Sequence, residues 1–134
     1  HATFVEIKHP EDYKLQGNFY QINGNNLYSY VYAGRIYTHR TATGTGQSGE
    51  FIDYFILYDI NLTVMKVKVT RFLGQVGQGI TTKGWLSQFI GFKPGKILTV
   101  GRDVDAISGA TNSVNQFTFD VQRNSSILAK LVQK

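Results

Sequence analysis

The pattern of apolar and polar residues between positions 51 and 72 predicts a β-hairpin. The segment "LTVMKVKVTRF" (62–72) has a two-residue repeat, with Met65, Val67 and Val69 on one face and Lys66, Lys68 and Thr70 on the other. That repeat predicts a half-buried strand. The preceding run "FIDYFILYD" (51–59) predicts its partner strand, and "YDIN" (58–61) predicts a short turn between the two.

Three further apolar runs upstream predict strands. "NFYQI" (18–22) and "LYSYVYAG" (27–34) flank "NGNN" (23–26), where Asn-Gly accepts the positive φ of a hairpin turn at little cost. "RIYTHRT", which begins at Arg35, predicts a separate third strand. The first fifteen residues carry no clear repeat.

Helical spacing begins after Ser108. Five apolar residues there form one stripe, typical of an amphipathic surface helix: Val114, Phe117, Val121, Leu128 and Leu131. The polar run 124–126 is a candidate interruption of this helix. A shorter helix is predicted over "KGWLSQFIG" (83–91), capped by Thr82, and a brief extended run over "ILTVG" (97–101). The predicted fold class is α+β, a single domain over residues 1–134 with a twisted antiparallel sheet and a few helices packed on it.

Composition excludes several classes of protein. The chain has 134 residues, 42% of them hydrophobic and 17% charged, as expected of one globular domain. Because it has no cysteine, no disulfide or thiol site is predicted, and the three histidines lack metal-ligand spacing. The net charge of +5 comes from scattered Lys and Arg, so nucleic acid is not a predicted partner.

The sequence also bears on export and on membrane insertion. It begins at His1, from which we expect that a leader has been removed. It has no apolar run of about 18 residues, so membrane association is expected only through an anchor or a partner.

A dinucleotide-binding spacing occurs in "ATGTGQSGE" (42–50), where Gly44, Gly46 and Gly49 fit G-x-G-x-x-G. That motif requires a strand before it and a helix after it. A strand-like run follows instead, so we interpret the spacing as coincidence within a loop.

The segment "RDVDAISGATNSVNQF" (102–117) carries the most specific chemistry. A helix that begins between Ser108 and Thr111 leaves backbone N–H groups without partners and concentrates partial positive charge there. Such an end binds phosphate, and Gly109 permits close approach of the backbone. Thr111 would then direct a hydroxyl at the phosphate. The simpler interpretation is a turn followed by a hydroxyl that caps an amphipathic helix.

Within that segment, "DAISGATNS" (105–113) resembles the flavinylation motif of the FMN-binding domain family. This family includes the C subunit of the sodium-translocating NADH:quinone reductase and the G subunit of Rnf complexes. The resemblance implies that Thr111 carries FMN through a phosphoester bond, installed by a separate magnesium-dependent flavin transferase that uses FAD. By position, the other motif residues would be Asp105, Ser108, Gly109, Ala110 and Ser113.

The resemblance covers roughly residues 50–121. "FIDYFILYDINLTVMKVKV" resembles the family's central hairpin, and "GQVGQGITTKGWLSQFIG" resembles its Gly-rich turn and Trp-Leu-x-x-Phe helix. One departure is that residues 71–88 contain no acidic side chain, whereas many relatives have carboxylates near the positions of Gly74 and Gly79. This departure bears on how the flavin ring would be held.

The resemblance implies an extracytoplasmic bacterial electron carrier rather than a complete enzyme. Its redox partners in the cell envelope are not specified by the sequence. Trp85, Leu86 and Phe89 are candidate contacts for the flavin ring, and Gly77 and Gly79 for its edge. For these apolar side chains, the simpler interpretation is a short helix that buries one face in the core.

An alternative of a different class is a cofactor-free envelope module that binds a partner or a glycan. Twelve of the seventeen Tyr and Phe residues precede residue 60, and a Tyr-rich sheet surface would suit such binding.

Overall fold

The structure is a computed structural model, and it describes residues 1–13, 15–37, 50–74 and 78–133. Five strands are formed: β1 (Thr3–Ile7), β2 (Gly17–Asn23), β3 (Tyr30–Tyr37), β4 (Phe51–Tyr58) and β5 (Val64–Leu73). Two α-helices follow, α1 (Lys83–Leu86) and the long α2 (Thr111–Val132). Short 3-10 turns occupy Glu11–Tyr13, Gln78–Thr81 and Ser87–Phe89.

The strands form one antiparallel sheet in the order β1-β2-β3-β4-β5, with α2 across one face. On β4, every second side chain is buried toward that helix: Ile52, Tyr54, Ile56 and Tyr58. The predicted stripe on α2 faces them, since Val114, Phe117, Val121 and Leu128 are at most 1% exposed. The α+β prediction is therefore confirmed.

The β4–β5 hairpin is confirmed, and its alternation holds over residues 66–69. Lys66 and Lys68 are exposed, whereas Val67 is buried, so these residues alternate between the two faces of the sheet. Two register shifts leave Met65 and Thr70 without a directly paired residue on β4, so the predicted repeat is interrupted at both positions. The turn is held by Asp59, whose side-chain Oδ1 accepts hydrogen bonds from the backbone N–H groups of Asn61 and Thr63, each at 2.9 Å. Because the Asp59 side chain accepts hydrogen bonds from backbone N–H groups of the turn, it fixes which residues form that turn.

The separate strand predicted from Arg35 is wrong, because β3 runs through that residue without a break. Gly34 pairs with Tyr54, and Arg35 pairs with Asp53 on the neighbouring strand. The Arg35 guanidinium donates two hydrogen bonds, of 2.7 and 3.0 Å, to the Asp53 carboxylate. The residue at the predicted start of a new strand is therefore bonded to β4 within the sheet. The predicted break followed Gly34, and this glycine has another role.

That role is to accommodate a buried tyrosine. Tyr32 is fully buried on the face covered by α2, and its ring extends along the sheet toward Gly17 and Gly34. A Cβ at Gly34 would lie 2.3 Å from Tyr32 Oη, and one at Gly17 would lie 2.6 Å from the same atom. The two glycines face each other across the β2–β3 ladder, so together they leave room for the phenol.

We therefore expect Gly34→Ala to destabilise the fold by about 1–3 kcal/mol, since a methyl group would overlap the Tyr32 ring. Gly84→Ala, on the exposed side of α1, is the matched control, because its Cβ would meet no atom within 4 Å. In a helix this change should stabilise by about 0.5–1 kcal/mol. Urea unfolding measures both. Equal small effects at the two positions would contradict the steric explanation.

Two polar regions behave differently from the sequence prediction. Helix α2 passes through residues 124–126 without interruption, because Asn124 and Ser125 are fully buried and hydrogen-bonded to side chains of the sheet. The run 97–101 forms no strand and contributes only one isolated bridge, between Val100 and Val104. The first fifteen residues, which showed no repeat, contain the edge strand β1.

Candidate functional site

The segment 105–111 forms a turn that leads directly into α2. Gly109 has a φ of +81°, and the Ala110 N–H donates to the Ile107 carbonyl at 3.0 Å. The helix begins at Thr111, within the predicted range. Its N-cap is Ala110, which has no side-chain acceptor, and the first turn contains no acidic residue. The partial positive charge of this helix end is therefore not offset by the cap or by a carboxylate of the first turn.

Exposure divides the motif residues into two groups. Thr111, Asp105, Ser108 and Gly109 are exposed, whereas Ala110 and Ser113 are buried beneath them. The Thr111 side chain is thus on the surface at the first helical position. A reagent or an enzyme can approach it from solvent.

Two side chains from the helical segment 85–88 hydrogen-bond the backbone of Asp105. Trp85 Nε1 donates to the Asp105 carbonyl at 2.9 Å, and the Asp105 N–H donates to Gln88 Oε1 at 2.9 Å. Gln88 is itself oriented, because its Nε2 donates to the Trp85 carbonyl at 2.9 Å. Sequence reasoning missed Gln88. Its position three residues after Trp85, on the same side of a helix, was the available signal.

The Gly-rich turn also meets the motif segment. A Cβ at Gly79 would lie 3.0 Å from Ile107 Cδ1, so the absence of a side chain lets the two segments pack closely. Thr82 caps α1 as predicted, since its Oγ1 accepts from the Trp85 N–H at 3.2 Å. Gly77 lies outside the described residues. The structure therefore brings together Gly79, Trp85 and the 105–111 turn, three features that the sequence singled out separately.

The apolar side chains proposed as flavin contacts are largely buried. Trp85 is 8% exposed, Leu86 3% and Phe89 0%. The Trp85 ring packs edge-on against Phe89 and Phe117, with centroids 5.3 and 5.6 Å apart. The simpler interpretation, a short helix with its apolar face in the core, accounts for this burial. Leu86 also lines a cavity of about 470 Å³ beside β5, to which residues 105–113 do not contribute.

A buried polar cluster connects α2 to the sheet, and no sequence pattern announced it. The Asp120 carboxylate accepts from Tyr54 Oη at 2.5 Å, from Asn124 Nδ2 at 2.9 Å and from Arg123 Nη2 at 3.0 Å. Tyr58 Oη and Ser125 Oγ are 2.8 Å apart. Burial raises the pKa of Asp120, although its hydrogen bonds and Arg123 oppose the shift. Burial, and then the nearby carboxylate, also raise the pKa of Tyr54.

The raised pKa of Asp120 predicts a pH dependence of stability. The folded state holds this proton more tightly than the unfolded state, so ionisation favours unfolding. We expect the free energy of unfolding of the wild type, relative to Asp120→Asn, to fall as pH rises above 3.8, the ordinary aspartate value. The measurement is urea unfolding of both proteins at several pH values, from below 3.8 to neutral.

Asp103 supplies a control of opposite sign. The Thr99 N–H and then Arg102 lower the pKa of its carboxyl. The stability of the wild type relative to Asp103→Asn should therefore rise as pH increases toward 3.8. A difference between wild type and Asp120→Asn that stays constant across the same range would show that burial does not raise the Asp120 pKa.

Among residues 1–13, 15–37, 50–74 and 78–133, no group of three or more His, Cys, Asp or Glu side chains could hold a metal ion. No helix in the same ranges combines the length and apolar character needed to cross a membrane.

Comparison of the chain with protein-family models, with curated proteins and with solved structures finds no match in any of the three. The functional interpretation therefore depends on the motif residues and on their geometry.

Proposed function

We propose that the protein is an extracytoplasmic electron-carrier domain whose FMN is attached through its phosphate to the Thr111 hydroxyl. The observation that supports this best is the exposure of Thr111 at the first position of the 22-residue helix α2. A buried hydroxyl in that position could not be esterified. The proposal follows the motif resemblance, and the geometry of the helix end is compatible with it.

The residues at this end suit a phosphate group. The cap and the first turn of α2 bring no negative charge that would repel a phosphate, and Gly109 adds no side chain in front of the turn. Backbone N–H groups at a helix N-terminus point away from the body of the helix, which is the direction from which an attached phosphate would approach. The exposed Ser108 hydroxyl is available as a further hydrogen-bond donor. Each of these groups would contact the phosphate noncovalently, whereas Thr111 alone would be bonded to it covalently.

Trp85 would act as a positioning residue in this proposal. Its ring is almost fully buried, and its one donor is used by the Asp105 carbonyl. With Gln88, it holds the motif turn in place from beneath. The flavin ring would then contact the outer surface where Gly79 meets Ile107, rather than the indole face. When bound, FMN supplies the one- and two-electron chemistry, and the protein supplies attachment and orientation.

The proposed partners follow from this chemistry. Maturation would require a flavin transferase, because an unactivated threonine hydroxyl is a poor nucleophile and the turn offers only the Asp105 carboxylate nearby. The enzyme would form the bond between the Thr111 hydroxyl oxygen and the FMN phosphorus of FAD. The pyrophosphate bond of FAD would break, AMP would leave, and the hydroxyl proton would be released. Electron donors and acceptors would be other proteins of the bacterial cell envelope, and any membrane association would come through an anchor or a partner. A covalent link would keep FMN in a compartment that contains little of it.

The experiment is coexpression of the protein with a flavin transferase, with export to the compartment where that enzyme acts. We expect the intact mass to rise by FMN less one water and the denatured protein to stay yellow. A flavinylated domain of the resembled family, expressed in the same cells, shows that the transferase is active. An unmodified protein beside a modified control would overturn the proposal.

The cofactor-free module has less support from the aromatic residues than their number suggests. Of the twelve Tyr and Phe residues before residue 60, Phe4 is exposed, six are half-buried, and five are buried, among them Tyr32, Tyr54 and Tyr58. Five of the twelve therefore belong to the core rather than to a binding surface. We propose the flavin carrier in preference to it.

A further inference from the structure

Basic residues stand singly along the chain, but acidic residues are absent from one continuous part of it, which therefore carries the excess positive charge. Residues 60–102 contain seven basic residues and no acidic one, whereas the rest of the chain contains seven basic and nine acidic residues. The net charge of +5 therefore arises entirely from this stretch. It includes β5, the turn Gln78–Thr81, α1 and the following loop.

Strand β5 forms the end of the sheet and is ten residues long. At the start of its outer edge, Val64 exchanges backbone hydrogen bonds with Gly91 and Phe92 at 2.8 and 2.9 Å. Among the described residues, no other backbone hydrogen bond joins the outer edge of β5 to the rest of the chain. A long edge strand with unpaired N–H and C=O groups is a template for another strand.

A cavity of about 470 Å³ lies beside this open edge. Five consecutive residues of β5, 65–69, form one wall, and the helical segment 81–90 forms the other through Leu86, Ile90 and Lys83. The volume is within the range of about 300–1,000 Å³ that is typical of ligand sites. Ile90 is 53% exposed, so the apolar wall is incompletely covered.

The two sides of the cavity differ in chemistry. Lys66 and Lys68 project from the open face of the sheet, whereas Leu86 and Ile90 lie on the side of the helices. Side chains of an added strand alternate between these two sides. One set would meet apolar carbon, and the other would meet ammonium groups without a neighbouring carboxylate in the cavity lining.

We propose that the outer edge of β5 binds an extended segment of a partner protein, in which acidic and apolar residues alternate, as a sixth strand of the sheet. Backbone hydrogen bonds would provide affinity, and Lys66 and Lys68 would select acidic side chains. Edge lysines also serve to prevent strand pairing, which is the competing explanation of the same residues. The site does not involve Thr111 and is independent of the flavin proposal.

The test uses the FMN-free protein and an eight-residue peptide of alternating glutamate and valine, blocked at both ends. Titration by calorimetry and by NMR should show binding, with amide shifts at 66–69 and 86–90. Lys66→Glu combined with Lys68→Glu should weaken binding at least about tenfold, since both exposed cations become repulsive. Lys96→Glu with Lys130→Glu has the same change of net charge away from the cavity and should weaken it less than about threefold.

Two further peptides separate strand addition from charge attraction. A peptide of alternating lysine and valine should not bind. The glutamate peptide with alternate backbone nitrogens methylated keeps its charge and loses hydrogen-bond donors, so it should bind at least about tenfold more weakly. Absence of binding by the glutamate peptide would show that the edge lysines block pairing. Equal binding of the methylated peptide, or equal losses in the two double variants, would equally overturn the proposal.

Discussion

Thr111→Ala should abolish covalent flavin attachment completely, with no gain in mass and no colour after denaturation, when coexpressed with a flavin transferase. The expected effect is all-or-none, because the substitution removes the only atom through which the phosphoester can form at this position. The fold should not change, since Thr111 is exposed and alanine is favourable in the first turn of a helix. Far-UV circular dichroism of the variant checks this.

Two controls make the result specific. Thr3→Ala removes a second exposed threonine, in β1 and far from the motif in sequence, and should leave attachment unchanged. Peptide mapping of the wild type should find the added mass on the peptide that contains Thr111. If Thr111→Ala remains yellow after denaturation, the attachment site lies elsewhere and the role proposed for the α2 N-terminus is wrong.

Phe117→Ala should destabilise the fold by about 3–5 kcal/mol, the usual cost of removing a fully buried phenylalanine. Its ring is 0% exposed and joins three elements. The ring centroid lies 4.7 Å from that of Tyr54 on β4, and 5.6 Å from those of Trp85 and Phe89. For a chain of this size, the loss corresponds to a fall in melting temperature on the order of 10–20 °C.

Phe119→Ala is the matched control for Phe117→Ala. It lies two residues further along α2, makes the same change of side chain, and is 61% exposed. Surface substitutions of this kind usually cost less than about 0.5 kcal/mol, so its melting temperature should stay close to that of the wild type. Similar losses at the two positions would mean that α2 does not present Phe117 to the sheet.

Comparison of Phe117→Ala with Thr111→Ala separates an effect on stability from an effect on the chemistry of the site. Phe117 supports the Trp85 ring, and Trp85 in turn holds the Asp105 carbonyl. Thr111→Ala, in contrast, changes an exposed hydroxyl and no packing contact. A loss of flavin attachment with full stability therefore identifies the chemical role of Thr111.

Much of the fold could be predicted wherever one local repeat coincided with one buried face. The alternation at 62–72 and the stripe after Ser108 predicted β5 and α2, because burial on one side imposes those periods directly. The helix start near Thr111 was predictable for a similar reason, since the Ser-Gly-Ala-Thr turn is a local structure. The break at Gly34 was predicted wrongly, because a glycine that ends a strand and one that accommodates Tyr32 look the same in sequence.

The candidate site was predictable as a set of segments but not as an arrangement. The motif, the Gly-rich turn and the Trp-bearing helix could each be read from consecutive residues. Their contact depends on Trp85 reaching a carbonyl twenty residues away, and on Gln88 receiving the N–H of the same residue. Residue type does not show which distant backbone group the Trp85 and Gln88 side chains will bond, so the sequence could not predict their link to Asp105.

The sequence by itself determined the secondary elements with a regular period, the α+β class and the motif that contains Thr111, because each depends on neighbours along the chain. Tertiary structure alone decided the continuity of β3, the passage of α2 through its polar residues and the burial of Trp85. Those outcomes depend on partners distant in sequence. Asn124 and Ser125 can lie inside a helix because Tyr54 and Tyr58 on β4 hydrogen-bond them, about 70 residues away.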